Sequence, residues 1–192
     1  SAQSQRKIAA TETVEAARGE ILDRYGRVLV SNRISYQVTL DTSRMGTPEE
    51  RNATLLKLIS IRRAQGVEWS DSLPITASAP FIYTTNDVFS YAYTDEDGKA
   101  ATGQTQLGKL TGMMDGWSEE DSADALLQHM KESWELSDDL SDEDSRSLCG
   151  LLYELWLRRK GVTWSTYVFA KDVDIAVITA VKEAGLSGVS ID

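Results

Sequence analysis

The sequence predicts an α+β fold: an extended β-rich unit built from segments near both ends of the chain, with a helical lobe inserted between them. Three observations carry this. Ile34, Tyr36, Val38 and Leu40 alternate with Ser35, Gln37 and Thr39, the period of two that turns successive side chains to opposite faces of a strand. Between 47 and 161, segments with helix-capping residues carry apolar side chains at helical spacing. Strand-like stretches then return at 164–169 and 189–192.

Taken in order, 19–22 and 27–30 flank Asp23-Arg24-Tyr25-Gly26. This is turn chemistry, because an aspartate can bond its own downstream backbone and Gly26 takes positive φ at no steric cost. The alternating row of 34–40 is expected to set its apolar side against a core and its polar side outward. Thr47-Pro48-Glu49-Glu50 starts a helix, with Thr47 as cap, proline at the first position and glutamate at the third. Leu55, Leu56, Leu58 and Ile59 supply its buried side and Gly66 its stop. Pro74, Pro80 and the aromatic run from Phe81 to Tyr93 predict extended segments and loops.

The stretch 95–116 is expected to be a flexible insertion, from turn signals at Asp97-Gly98, Thr102-Gly103, Thr111-Gly112 and Asp115-Gly116. Two helices follow. Ser118-Glu119-Glu120-Asp121 opens the first, with Ala123, Leu126, Leu127, Met130 and Trp134 on one face. Ser141-Asp142-Glu143-Asp144 opens the second, with Leu148, Leu151, Leu152, Leu155 and Trp156 on one face, and Arg158, Arg159, Lys160 and Gly161 end it. Acids at its front and bases at its back each complement the helix dipole by about 0.3–1 kcal/mol. A strand over 164–169, a short helix capped by Asp172 with Val177, Ile178 and Val181 inward and Gly185 as stop, and a last strand over 189–192 left hanging complete the chain. No internal repeat is visible.

The 192 residues suffice for one sizeable domain or a domain plus a lobe, and a chain of this length buries roughly 70% of its unfolded surface without needing a disulfide or metal. Hydrophobic residues at 41% and charged residues at 26% exclude global disorder. The net charge of −10 is concentrated: residues 95–147 hold fifteen acids against four bases, whereas 1–40 hold six bases against four acids. That balance argues against nucleic-acid binding, which rests on lysine and arginine neutralising phosphates, and reads as a solvated acidic lobe. No apolar run approaches the ~20 residues of a membrane helix, and 1–10 is polar and basic, unlike a signal peptide. The chain opens on Ser1 rather than Met, so it is expected to begin partway along a longer protein.

Residues with chemistry in them are few. Cys149 is the only cysteine; it can form no internal disulfide, and its leucine neighbours make it a buried small hydrophobe. His129 is the only histidine and has no evident partner for a triad or metal cluster. Asp138, Asp139, Asp142, Glu143 and Asp144 lack the ligand spacing and central glycine of a calcium loop and read as helix N-terminal charge. No phosphate-binding glycine loop is present. Trp134 and Trp156 read as core on helical faces, while Trp69, Trp117 and Trp164 could each anchor a partner. No catalytic, cofactor-binding or metal-ligating residue is therefore assigned, and no cofactor is expected.

At Arg18-Gly19-x-Ile21-x-Asp23-Arg24-x-Gly26-x-x-Leu29-x-x-Asn32-x-x-x-Tyr36-x-Val38 the chain resembles the opening signature of class B penicillin-binding proteins, with Ala17 matching the alanine before it. Tyr25 and Val30 depart mildly from the usual asparagine and alanine. Two later stretches agree: Asp71-Ser72-Leu73-Pro74-Ile75 with Pro80-Phe81-x-Tyr83-Thr84, then Leu152-Tyr153-Glu154-x-Trp156, the run from Tyr167 to Asp172, and Ala180 to Glu183 ending in Gly188 to Ile191.

The resemblance implies a non-catalytic N-terminal module, sometimes called a dimerisation domain, of a membrane-anchored peptidoglycan D,D-transpeptidase. It implies a division into a juxtamembrane segment (1–17), a β-rich pedestal (18–46 and 162–192) and a head (47–161, acidic over 95–147). A membrane helix would precede the module and a transpeptidase domain follow it, on the extracytoplasmic face of a bacterial membrane. The implied partners are that transpeptidase domain, other cell-wall synthesis proteins, or a second copy; the signature residues Arg18, Gly19, Asp23, Arg24, Gly26, Asn32 and Tyr36 would fix the geometry of the junction. Transpeptidase chemistry needs Ser-x-x-Lys, Ser-x-Asn and Lys-Thr-Gly. The chain has only Ser4-Gln5-Arg6-Lys7 in a polar tail, so it should not acylate with a β-lactam. The competing readings are a free-standing extracytoplasmic adaptor and, more weakly, a small hydrolase using scattered carboxylates.

Overall fold

The computed structural model describes residues 20–22, 24–26, 28–31, 34–160, 163–164 and 166–192, with 20–22, 28–31, 160 and 163–164 described at the backbone. The fold is mixed α+β, with short antiparallel sheets and helices contributing to a shared hydrophobic core. The first hairpin pairs β1 (Glu20–Leu22) with β2 (Val28–Ser31), and a register shift falls between Ile21 and Leu22. The one three-stranded sheet among the described residues has β3 (Val38–Leu40) at its centre. β8 (Tyr167–Ala170) and β9 (Val189–Ile191) flank it, both antiparallel. Segments more than a hundred residues apart thus close on one another. Gln37 and Asp192 add a mutual pair of backbone hydrogen bonds of 3.1 and 3.0 Å beyond the last ladder position.

Between these strands lies α1 (Pro48–Gln65), which opens as its sequence predicts. Thr47 Oγ1 accepts from Glu50 N at 3.2 Å, Glu50 Oε1 accepts from Thr47 N at 3.0 Å, and Gly66 closes the helix in the left-handed region. Leu55, Leu58, Ile59 and Ile61 are buried, whereas Leu56 is half-buried. The next elements are β4 (Ser90–Thr94), β5 (Ala100–Gln104), α2 (Gln106–Thr111), α3 (Ala123–Ser133) and α4 (Asp142–Leu157). A two-residue pair, β6 (Arg159–Lys160) with β7 (Thr163–Trp164), then leads to β8, α5 (Ile175–Ala184) and β9.

The hub is α4. It packs against α1 and α3, and every residue from Leu148 to Trp156 is buried. A helix apolar or buried all round belongs in a core rather than at a surface. The end of α3 is tied to α1 by Arg51 and Asn52, whose side chains both donate to the Trp134 carbonyl at 3.0 Å. A cation is thereby placed at the negative end of the α3 dipole.

Several expectations are corrected. The alternating row of 34–40 forms a strand only over 38–40: Ile34 and Tyr36 lie 57% and 36% exposed, and Thr39, assigned to the polar side, is buried at the centre of the sheet. The stretch 95–116 is not a flexible insertion. It holds the end of a β-hairpin and α2, anchored by buried Leu107, Leu110 and Met114. α3 is capped by Ser122, whose hydroxyl accepts from Ala125 N at 3.1 Å, and not by Ser118. Asp121 Oδ2 instead accepts from Ser118 N at 3.0 Å, closing a turn ahead of the helix. Trp134 ends α3 half-buried, while Trp156 is buried as expected.

The strand expected over 164–169 is split between β7 and β8, and Trp164 lies outside the residues with described side chains. α5 is capped by Asp174, accepting from Val177 N at 3.1 Å, because Asp172 sits at φ 51, outside the extended conformation of a cap. The final strand does not hang: β9 pairs with β3 through all three of its residues.

Candidate functional site

The signature hairpin is where sequence reasoning placed the candidate positions. Arg24, Tyr25 and Gly26 form its turn, and Gly26 holds φ 81, the left-handed region its lack of a Cβ admits. The Arg24 guanidinium lies 5.2 Å from the centre of the Tyr25 ring, and that ring is 69% exposed. An exposed cation–ring contact is worth about 0.5–1 kcal/mol, enough to bias the apex toward one shape. Tyr36 is partly exposed, and its carbonyl accepts from Val173 N at 3.0 Å, joining the segment before β3 to the turn after β8. Arg18, Gly19, Asp23 and Asn32 lie outside the described residues, as does Ser4 with its Lys7. The part of the junction geometry expected from those four signature residues therefore also lies outside them.

A second polar centre was missed by sequence reasoning. The Arg146 guanidinium, on α4, meets the Asp71 carboxylate in a bidentate pair, Nη1 to Oδ2 and Nη2 to Oδ1 each at 2.9 Å, and both side chains are buried. Its remaining donors go to backbone: Nε to the Thr76 carbonyl at 3.0 Å and Nη2 to the Ile75 carbonyl at 2.9 Å. Just over two turns along α4, Glu154 accepts from Ser72 N at 2.7 Å and from the Ser72 hydroxyl, and takes Arg158 Nη1 at 2.9 Å. The segment 71–76 is thus fastened to α4 by two charged residues of the helix. Gly150 makes this possible: a Cβ there would stand 2.0 Å from Asp71 Oδ2 and 2.6 Å from Arg146 Nη1. A glycine in the middle of a helix, costing about 1 kcal/mol relative to alanine, was the local signal available.

Aromatic contacts continue the fastening. Trp69 Nε1 donates to the Tyr167 hydroxyl at 2.9 Å, its ring stacks on Phe169 at 5.7 Å, and Arg158 lies 4.4 Å above the Tyr167 ring. Trp117 packs on Phe89 at 4.9 Å, so Trp69 and Trp117, two of the three tryptophans left open by sequence reasoning, are in use within the fold.

The chemistry these groups can perform is structural. Burial pushes the Cys149 thiol up to about 12, which keeps it protonated and unreactive. Burial likewise pushes Tyr153 up to about 12, and raises Tyr167 against the lowering influence of the Trp69 hydrogen bond. His129 lies 3.3 Å from Asp121 and 3.9 Å from Glu132, and among the described residues no hydroxyl or thiol is hydrogen-bonded to it. Nor do the described residues contain a group of three or more potential metal ligands, or a helix long and apolar enough to cross a membrane.

No curated protein matches the chain. A family model described as the penicillin-binding protein dimerisation domain matches residues 13–192, from just ahead of the signature hairpin to the last strand. Nearly the whole chain is covered, so this protein belongs to the penicillin-binding protein dimerisation domain family, the non-catalytic N-terminal module of penicillin-binding proteins.

Proposed function

We propose that the chain holds the D,D-transpeptidase domain of a membrane-anchored penicillin-binding protein in a working orientation on the extracytoplasmic face of the membrane, and offers its head to other cell-wall synthesis proteins. The observation that carries this reading is the family match over 13–192, which takes in the signature hairpin. Supporting it, the buried ionic groups around α4 are spent on one another and on backbone, as in a rigid spacer rather than a reaction centre. The sheet that joins 38–40 to 167–170 and 189–191 would act as the pedestal, with 47–161 as the head. The hairpin apex, with Arg24 and Tyr25 exposed, would bear on the catalytic domain.

The test uses a protein carrying both this module and the transpeptidase domain, with one spin label in each. Arg24→Ala combined with Asp23→Ala should broaden the interdomain distance distribution and slow acylation by a penicillin, at an unchanged melting temperature. If distances and acylation both match the parent, the positioning role is lost.

A further inference from the structure

The hairpin of β4 and β5 is largely exposed and meets the helices where β5 runs into α2. Every residue of β4 is exposed, and β5 is exposed at Ala100, Thr102 and Gln104. Among the described residues each strand pairs only with the other. Two-stranded hairpins with neither face covered are marginal in water, and a third strand is what stabilises them. This one is fixed only at its base, where Val88 and Phe89 are buried and the Thr105 hydroxyl donates to the Val88 carbonyl at 2.7 Å.

Its hydrogen-bond phase identifies the free backbone groups. Thr105 N donates to the Phe89 carbonyl at 3.0 Å and Asp95 N to the Lys99 carbonyl at 2.8 Å, bracketing the ladder. In an antiparallel pair the doubly bonded positions alternate, so Tyr91 with Gly103 and Tyr93 with Ala101 bond across the hairpin. The N–H and C=O groups of Ser90, Ala92 and Thr94 therefore point to the outer edge of β4. The corresponding edge of β5 runs directly into α2, where the Gln104 side chain donates to the Gly108 carbonyl at 3.1 Å, so β4 offers the clearer edge. Residues 90–94 also lack every device that blunts an edge: no proline, no charge, no bulge in the register. On one face Tyr91 and Tyr93 stand side by side, ring centres 5.9 Å apart, Tyr91 lying over Gly103.

The charges around this edge choose its occupant. Beyond one end lie Asp95, Glu96 and Asp97, which outnumber the single base of that tip, Lys99; beside the other lie Asp87 and a cleft of about 600 Å³ lined in part by Phe89, Ser90 and Glu119. A second copy pairing antiparallel about Ala92 would bring the acidic tip of each chain against Asp87 of the other, between molecules that each carry −10. We propose that the outer edge of β4 receives an extended segment of another protein, with an uncharged, strand-forming centre flanked by lysine or arginine at both ends. Backbone pairing supplies the affinity of this strand addition and the two acidic ends its register.

The probe is a synthetic nonapeptide of alternating threonine and valine with two lysines at each end, titrated into the full 192-residue chain labelled with nitrogen-15. Binding should slow amide exchange at Ser90, Ala92 and Thr94 and shift the neighbouring signals, and the same peptide with glutamates for lysines should not bind. Ala92→Pro removes an outward N–H while sparing the hairpin's own ladder. It should weaken binding about tenfold or more, since a lost donor and a proline ring on the pairing edge act together. Thr102→Pro, on the opposite edge, should leave binding unchanged. Cross-strand nuclear Overhauser contacts between β4 and β5 verify that each variant keeps its hairpin, and Glu96→Lys, at an exposed tip position, should weaken binding with the fold untouched. Equal binding of the acidic peptide, protection at β5 in place of β4, no binding at all, or a concentration-dependent dimer abolished by Ala92→Pro would each overturn the proposal. None of these results bears on the orientation of a catalytic domain, so this inference and the positioning role fail separately.

Discussion

Asp71→Asn probes the point on which the inner architecture turns. The substitution keeps the shape of the side chain and removes its charge, leaving the Arg146 guanidinium, 4% exposed, with its two backbone carbonyls and one remaining oxygen. The amide nitrogen would face a guanidinium donor at a site where the parent has a 2.9 Å hydrogen bond. Removing one partner of a buried, hydrogen-bonded ion pair costs about 3–5 kcal/mol, most of it the stranded charge rather than the lost attraction. With a urea slope of about 2 kcal/mol per molar, the midpoint falls by roughly 1.5–2.5 M. The assay is urea unfolding followed by tryptophan fluorescence for the parent, Asp71→Asn, Arg146→Met and the double variant. The two substitutions should be coupled by about 2–3 kcal/mol, as groups in one network are. A loss under about 1 kcal/mol for Asp71→Asn, with simple additivity in the double variant, would refute the reasoning.

Gly150→Ala should destabilise the fold although alanine gains about 1 kcal/mol in helix propensity, because its Cβ would displace the same ion pair; a rise in the urea midpoint would contradict this. Cys149 should resist alkylation at pH 8 in the native chain and react once unfolded; rapid native labelling would show its burial to be wrong. Because Cys149 and Tyr153 are both raised on folding, the native state retains protons that the unfolded chain releases. Stability is then full below the unfolded values of 9.0 and 10.0 and falls as pH rises toward about 12, and a flat unfolding midpoint across that window would count against it. Tyr167→Phe should cost about 1–2 kcal/mol by leaving the Trp69 indole N–H without its acceptor, read by calorimetry together with a shift in tryptophan emission. Thr47→Ala should cost about 1 kcal/mol through the loss of the capping box at α1, with no loss pointing to an end already frayed.

What could be read from the sequence was whatever is decided within a few residues. The cap at Thr47, the cap at Ser141 and the stops at Gly66 and Gly185 are local chemistry, and each lies where the residues place it. Ser118 misled because serine followed three residues later by an acid suits a turn as well as a cap; Ala123, the first residue on the apolar face, was the better marker of where the helix begins. Asp172 and Asp174 posed a similar choice, settled by the backbone reversal after β8. The row from Ile34 to Leu40 has perfect alternation, yet among the described residues ladder partners exist only for 38–40, with Gln37 adding one backbone pair to Asp192, and those partners lie near the far end of the chain. Asp71, noticed in the sequence only within the family-like stretch 71–75, and Arg146, not singled out at all, lie 75 positions apart. Only the fold brings them together, with the mid-helix Gly150 as the sole trace left in the sequence. The signature around Arg24 and Gly26 was legible as a family resemblance and as a turn, but its purpose depends on a neighbouring domain.

The most direct check on the non-catalytic character of this module is intact-mass analysis of the purified chain after prolonged incubation with a labelled penicillin. The account predicts an unmodified mass at every antibiotic concentration. A covalent adduct mapping to Ser4, or to any other serine, would contradict it.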